Sequence, residues 1–189
     1  MLKAPVQTAV IGVGNILFCD DGLGVYASQV LAKNYDFSPA VDVLDGGTLG
    51  MNLLSYFQRY ERVIVLDAIS VSDDSPPGTV YSMPATALQA MGAYRQTAHE
   101  VEVLQTLEMG ALAGGMADIQ IVAMVPEDIE SVKMGLTDSV ETHLPNLIES
   151  ILQQLAQWSI TATPKPSPHA LTQVVRGYQT LSTVNESTF

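Results

Sequence analysis

Two adjacent carboxylates, Asp20 and Asp21, follow a glycine turn in the stretch VIGVGNILFCDDGLGVYASQVL, residues 10–31. Two further acids stand where apolar runs stop: Asp45 after VDVL and Asp67 after VIVL. His99 opens a later helical pattern. In an open parallel sheet, ligands bind outside the carboxyl ends of the strands. Carboxylates gathered in one crevice repel, and a proton or a cation is needed to settle them. Taken singly, Asp20 or Asp21 is what any helix N-terminus favours. Acids at three strand ends together with one imidazole form a set of oxygen and nitrogen donors that suits nickel or zinc.

The glycine turn admits other readings. A dinucleotide site needs a third glycine for close helix packing, and the helix start then binds pyrophosphate. Here Leu17 occupies the third position, and Asp20 and Asp21 would repel phosphate, although Asp45 stands where a ribose-binding acid could. A strand followed by Gly-x-Gly-Asn also opens enzymes of the peptidyl-tRNA hydrolase type. Their substrate is densely anionic, whereas this chain carries eight Lys and Arg against twenty Asp and Glu, a net charge of −12. Cys19 is poorly placed as a nucleophile, because neighbouring carboxylates suppress a thiolate. No serine sits in a G-x-S-x-G elbow. His143 and His169 read as surface residues of the last helix and of the segment after it.

The elements that must position these groups follow from apolar periodicity. Strands are expected at residues 8–12, 41–44, 63–66, 79–83 and 118–125, and helices at 23–33, 49–60, 99–113 and 138–158. Thr48 is expected to cap the second helix, and Pro145 to kink or split the first turn of the last. Alternation of strands and helices predicts a mostly parallel sheet. The strand at 79–83 follows its predecessor through a short proline-rich loop with no crossover helix, so it is expected to be antiparallel and at an edge.

With 189 residues, 47% of them hydrophobic, the chain suits one α/β domain over residues 1–158. Residues 159–189 are rich in Pro, Ser and Thr and read as a tail or docking arm, extended or partly disordered and dispensable for folding. A single cysteine excludes a disulfide framework and a CxxC metal site. The acidity argues against nucleic acid and anionic membranes as partners. The N-terminal apolar run reads as a strand, not a signal peptide, and no run reaches membrane-span length, so a cytoplasmic location is expected.

In order, the blocks GVGNILFCDDGLGV, LDGGTLGMNLL, VIVLDAI, AHEVEVLQTL, VAMVPEDIE and GLTDSVE resemble the hydrogenase maturation endopeptidases, from about Thr8 to about Leu155. The resemblance implies a three-layer fold: a twisted, mostly parallel five-stranded sheet with one antiparallel strand and helices on both faces. It implies a cytoplasmic, monomeric endopeptidase that trims the C-terminus of the nickel-loaded large-subunit precursor of a nickel–iron hydrogenase. It also implies that Asp21, Asp67 and His99 bind that nickel, and that the turn Asp45-Gly46-Gly47-Thr48 judges the substrate. Relatives often carry Glu where Asp21 stands here. The same ligands would serve a nickel-sensing chaperone that does not cut, whereas a Rossmann-like nucleotide-binding protein would be stabilised by NAD or ATP.

Overall fold

The computed structural model describes residues 6–70, 74–91 and 98–186. In chain order the elements are β1 (Thr8–Val13), α1 (Leu23–Asn34), β2 (Tyr35–Ser38), β3 (Val41–Gly47), α2 (Leu53–Arg59), β4 (Arg62–Ala68), β5 (Val80–Pro84), α3 (Ala85–Met91), α4 (Ala98–Ala113), β6 (Asp118–Met124), α5 (Asp138–Gln157), β7 (Thr161–Pro164) and α6 (Leu171–Glu186). Short 3₁₀ turns at Cys19–Gly22 and Gly50–Asn52 lead into α1 and α2.

Five strands form one sheet in the order β3-β1-β4-β6-β5. The first four run parallel, and β5 pairs antiparallel with β6 at the edge, as its helix-free connection requires. Both faces are covered, so the inner strands are apolar on both sides. On one face Val10, Ile64, Leu66, Val122 and Met124 pack beneath α1 and α5. On the other, Ile11, Val63, Val65 and Ile121 meet Leu53 and Phe57 of α2 and Val103 and Leu107 of α4. The period of two along each strand divides these residues between two cores. Among the described residues, no helix is long and apolar enough to cross a membrane.

Three local expectations change. Thr48 does not cap α2: the helix enters through a 3₁₀ turn, and its N-cap residue, Asn52, makes no side-chain capping bond. Of the two expectations for Pro145, a split is not seen: the last helix runs as one element from Asp138 to Gln157 behind the N-cap Thr137, with Pro145 inside it. Beyond Trp158, where a tail or docking arm, extended or partly disordered, is expected, the chain docks on the body and is partly helical. Strand β7 pairs antiparallel with β2, and α6 buries Leu171 and Val174 against the α1 face of the sheet. Leu171, Val174, Val175 and Tyr178 lie at i, i+3, i+4 and i+7, a single helical stripe.

Two buried aliphatic side chains are each worth roughly 1.5–3 kcal/mol. Ending the chain after Ser159 should therefore lower the melting temperature by about 5 °C or more, since 1 kcal/mol shifts a chain of this size by about 2–4 °C. A thermal melt followed by circular dichroism checks this. An unchanged melt would show that α6 adds nothing to the core.

Candidate active site

The site begins with glycines that allow helix and sheet to touch. A methyl group on Gly12 would overlap the Gly24 carbonyl, and one on Gly24 would overlap the carbonyls of Leu66 and Val13. The start of α1 thus presses onto the carboxyl ends of β1 and β4. Gly14, with φ of +127°, turns the chain out of β1 in a conformation that L side chains rarely adopt. Its open side meets the Asp21 carbonyl.

The chain leaves β1 towards β3 on one side, while β4 lies on the other. The boundary between β1 and β4 is therefore a topological switch point, the usual place for a ligand in such sheets. Asp21 sits in the 3₁₀ turn that follows β1, and Asp67 is the penultimate residue of β4. Both are buried, at 5% and 7% exposure. Asp21 accepts the Asn15 N–H with Oδ2 (3.1 Å), and Asp67 accepts the Ala68 N–H with Oδ1 (2.8 Å). His99 is the second residue of α4, and its side chain lies outside the described residues. Among the described residues, no three His, Cys, Asp or Glu side chains form a metal-holding group.

Asp20 has a different task from its neighbour. Its carboxylate is fully buried. It accepts the N–H groups of Glu127, Asp128 and Thr137 at 3.0, 3.0 and 2.7 Å, and the Thr137 hydroxyl at 2.9 Å. Backbone bonds extend the seam: Asp20 N–H to the Asp128 carbonyl (2.9 Å) and Cys19 N–H to the Lys133 carbonyl (2.8 Å). Asp20 therefore fastens the β6–α5 loop over the first loop, and its negative charge lies at the positive end of α5. The bond to Thr137 spans 117 residues, and no local spacing announces it.

Cys19 is buried, and its thiol is pushed up by burial first and then by Asp20 and Asp128. That is the opposite of an activated nucleophile. His143 is half-buried on α5, with Nδ1 against the Ser139 carbonyl at 2.7 Å, and His169 is exposed.

Beside the switch point, Gly14 to Leu17 face Asp45, Gly47 and Thr48 across a groove of about 370 Å³, with Val25 also lining it. Gly46 is buried instead, against Ile11 and the Gly12 carbonyl. The two walls are joined at one end by the Gly14 N–H, which donates to the Gly47 carbonyl (2.9 Å). Leu17 is half exposed at the rim.

The arrangement is that of a doubly wound α/β protein with one buried carboxylate in the turn after β1, another near the end of β4, and an open groove lined by Gly14–Leu17 and Asp45. The chain belongs to the hydrogenase maturation protease (HycI) family, whose profile matches residues 25–154. It is 31% identical to the Hydrogenase 2 maturation protease of Escherichia coli over 165 residues, covering 87% of this chain and 99% of that protein. The solved structure of the E. coli hydrogenase maturating endopeptidase HybD superposes with a TM-score of 0.77 at 30% identity, over 85% of this chain and 98% of that one. The [NiFe] hydrogenase maturation protease HybD from Thermococcus kodakarensis gives 0.63 at 26% identity, over 80% and 99%.

The division of labour between the two aspartates is testable. Asp20→Asn turns an amide N–H₂ towards donors and leaves buried groups unsatisfied, at a cost of roughly 2–4 kcal/mol. Asp21→Asn should cost less than about 1 kcal/mol. Urea unfolding of both variants measures the difference, and equal losses would refute the assignment.

Proposed function

We propose that the chain cleaves the C-terminal peptide from the large-subunit precursor of a nickel–iron hydrogenase, and that Asp21, Asp67 and His99 bind nickel carried by that precursor. The observation that carries the reading is that two buried carboxylates, Asp21 in the 3₁₀ turn after β1 and Asp67 near the end of the adjacent strand β4, lie in a chain of this family. Two carboxylates and an imidazole suit a borderline divalent ion and leave coordination positions open. Asp21 is one methylene shorter than the Glu that relatives often carry, which draws the ion inward or leaves a water between.

The bound ion supplies Lewis-acid polarisation of the scissile carbonyl, or activation of a water. The chain's own residues do the rest. The groove between Gly14–Leu17 and Asp45–Thr48 receives the peptide beside the switch point, and the Asp45 turn tests it. A carboxylate at the sheet edge, Asp21 or Asp67, takes the proton from the attacking water. Cleavage then depends on nickel loading, because the substrate completes the site. The working form is a cytoplasmic monomer.

The test uses purified precursor with and without nickel, scored by mass for release of the C-terminal peptide. The wild-type chain should cut only the loaded form. Asp67→Asn and His99→Ala should each lower the rate by roughly two orders of magnitude or more, equivalent to losing about 3 kcal/mol of transition-state stabilisation. The melting temperature of Asp67→Asn should hold or rise, since removing one of several neighbouring carboxylate charges relieves repulsion, and that of His99→Ala should hold. Cys19→Ala should keep substantial activity. Full activity in Asp67→Asn beside an inactive Cys19→Ala would replace the metal reading with a thiol nucleophile. Binding of the loaded precursor without any release would favour a chaperone.

A further inference from the structure

Both oxygens of the Asp45 carboxylate are engaged. Oδ1 accepts the Gly47 N–H (3.0 Å), closing the turn on itself. Oδ2 accepts the hydroxyl of Tyr178 (2.6 Å), which reaches it from α6, 133 residues later in the chain. The Tyr178 ring also meets the ring of Tyr26 edge to face, with centroids 6.0 Å apart and an interplanar angle of 80°. Tyr26 in turn donates its hydroxyl proton to the Ile16 carbonyl (3.2 Å) and accepts the Gly135 N–H (3.0 Å). Ile16 lies on one wall of the groove and Asp45 on the other. The two tyrosines therefore bridge the walls: one hydroxyl holds each wall, and the rings are packed together.

We propose that Tyr178 is a positioning residue for peptide binding: through Asp45 it sets the spacing between the two walls of the groove, and α6 is the element that delivers it. This rests on the reading that the groove receives the precursor. Leu171 and Val174 anchor α6 in the core, so the hydroxyl comes from a fixed base and not from a loose arm. The phenol is raised well above its usual range, by burial first and then by the Asp45 carboxylate, so it remains a proton donor throughout neutral and mildly alkaline pH. Tyr178 does not line the groove and acts on it through Asp45 and the Tyr26 ring, so loss of its hydroxyl should weaken peptide binding and not the chemical step.

Tyr178→Phe keeps the ring contact with Tyr26 and removes only the hydroxyl. Two measurements on the full chain test it. The first is amide hydrogen exchange of Gly47 and Gly14 by NMR. Both should exchange roughly five to ten times faster in the variant, with α5 amides unchanged. The second is processing of nickel-loaded precursor. KM should rise about fivefold, the loss expected for one hydrogen bond, with kcat within about twofold. In an Asp45→Ala background, Tyr178→Phe should change neither reading, because the bond is already gone. Unchanged exchange at Gly47, a fall in kcat at constant KM, or additive effects with Asp45→Ala would each overturn the proposal. If the wild-type chain does not cut the precursor, the proposed function fails by that result, and the exchange data alone still decide whether Tyr178 holds the groove wall.

Discussion

The Asp20 carboxylate is buried and has exchanged its water for four protein donors, three backbone N–H groups and one hydroxyl. Hydrogen bonds to a buried charge are stronger than neutral ones, and leaving any donor unmatched is costly. The carboxylate therefore specifies where the β6–α5 loop lies. That loop starts α5, and α5 covers one face of the sheet with Val140, Leu144, Leu147 and Ile151. The same contact closes the first loop from above. One buried side chain thus couples the layer that makes the core to the loop that carries Asp21.

Glycine supplies the other half of the constraint. Gly12 and Gly24 let the start of α1 rest on the ends of β1 and β4 with no side chain between. A helix held off by even one methyl group would carry the 3₁₀ turn, and Asp21 with it, away from the ends of β1 and β4. The pattern that looks like a phosphate cradle shares this close approach. What differs is the acid that follows: the Asp21 carbonyl faces Gly14, and the turn carries Asp20 and Asp21 where a phosphate site would carry none.

Strands β1, β3, β4 and β6 were legible because their apolar runs are local and end abruptly, β3 and β4 in acid, β1 in glycine and β6 in proline, whereas β2 was not expected. The antiparallel edge strand was legible from the length of its connection, which is too short for a crossover. The separate roles of Asp20 and Asp21 were not. Both sit in the same dipeptide, and the partners that distinguish Asp20 lie at least 107 residues away. The segment after Trp158 misled by composition. Its Pro, Ser and Thr content suggests a chain with little to bury, yet Leu171, Val174, Val175 and Tyr178 already show the spacing of a helix stripe. Period outweighed composition there. Strand β7 carried no such signal: TATP is four residues long, and its partner β2 lies on the far side of the chain.

Adjacent identical residues can do different work because of the turn that holds them. In a 3₁₀ helix there are three residues per turn, so consecutive side chains diverge by about 120°. Asp20 points into the seam with the β6–α5 loop, and Asp21 turns to the Asn15 amide beside the strand ends. An α-helical start would separate them less, by about 100°. Entry into this turn is strained. Cys19 has φ of +44°, a left-handed conformation that costs a non-glycine residue roughly 1–3 kcal/mol. Two backbone bonds hold it there, Cys19 N–H to Lys133 and Asp20 N–H to Asp128, and both belong to the seam that Asp20 fastens. The orientation of Asp21 is therefore set by contacts more than a hundred residues away in sequence.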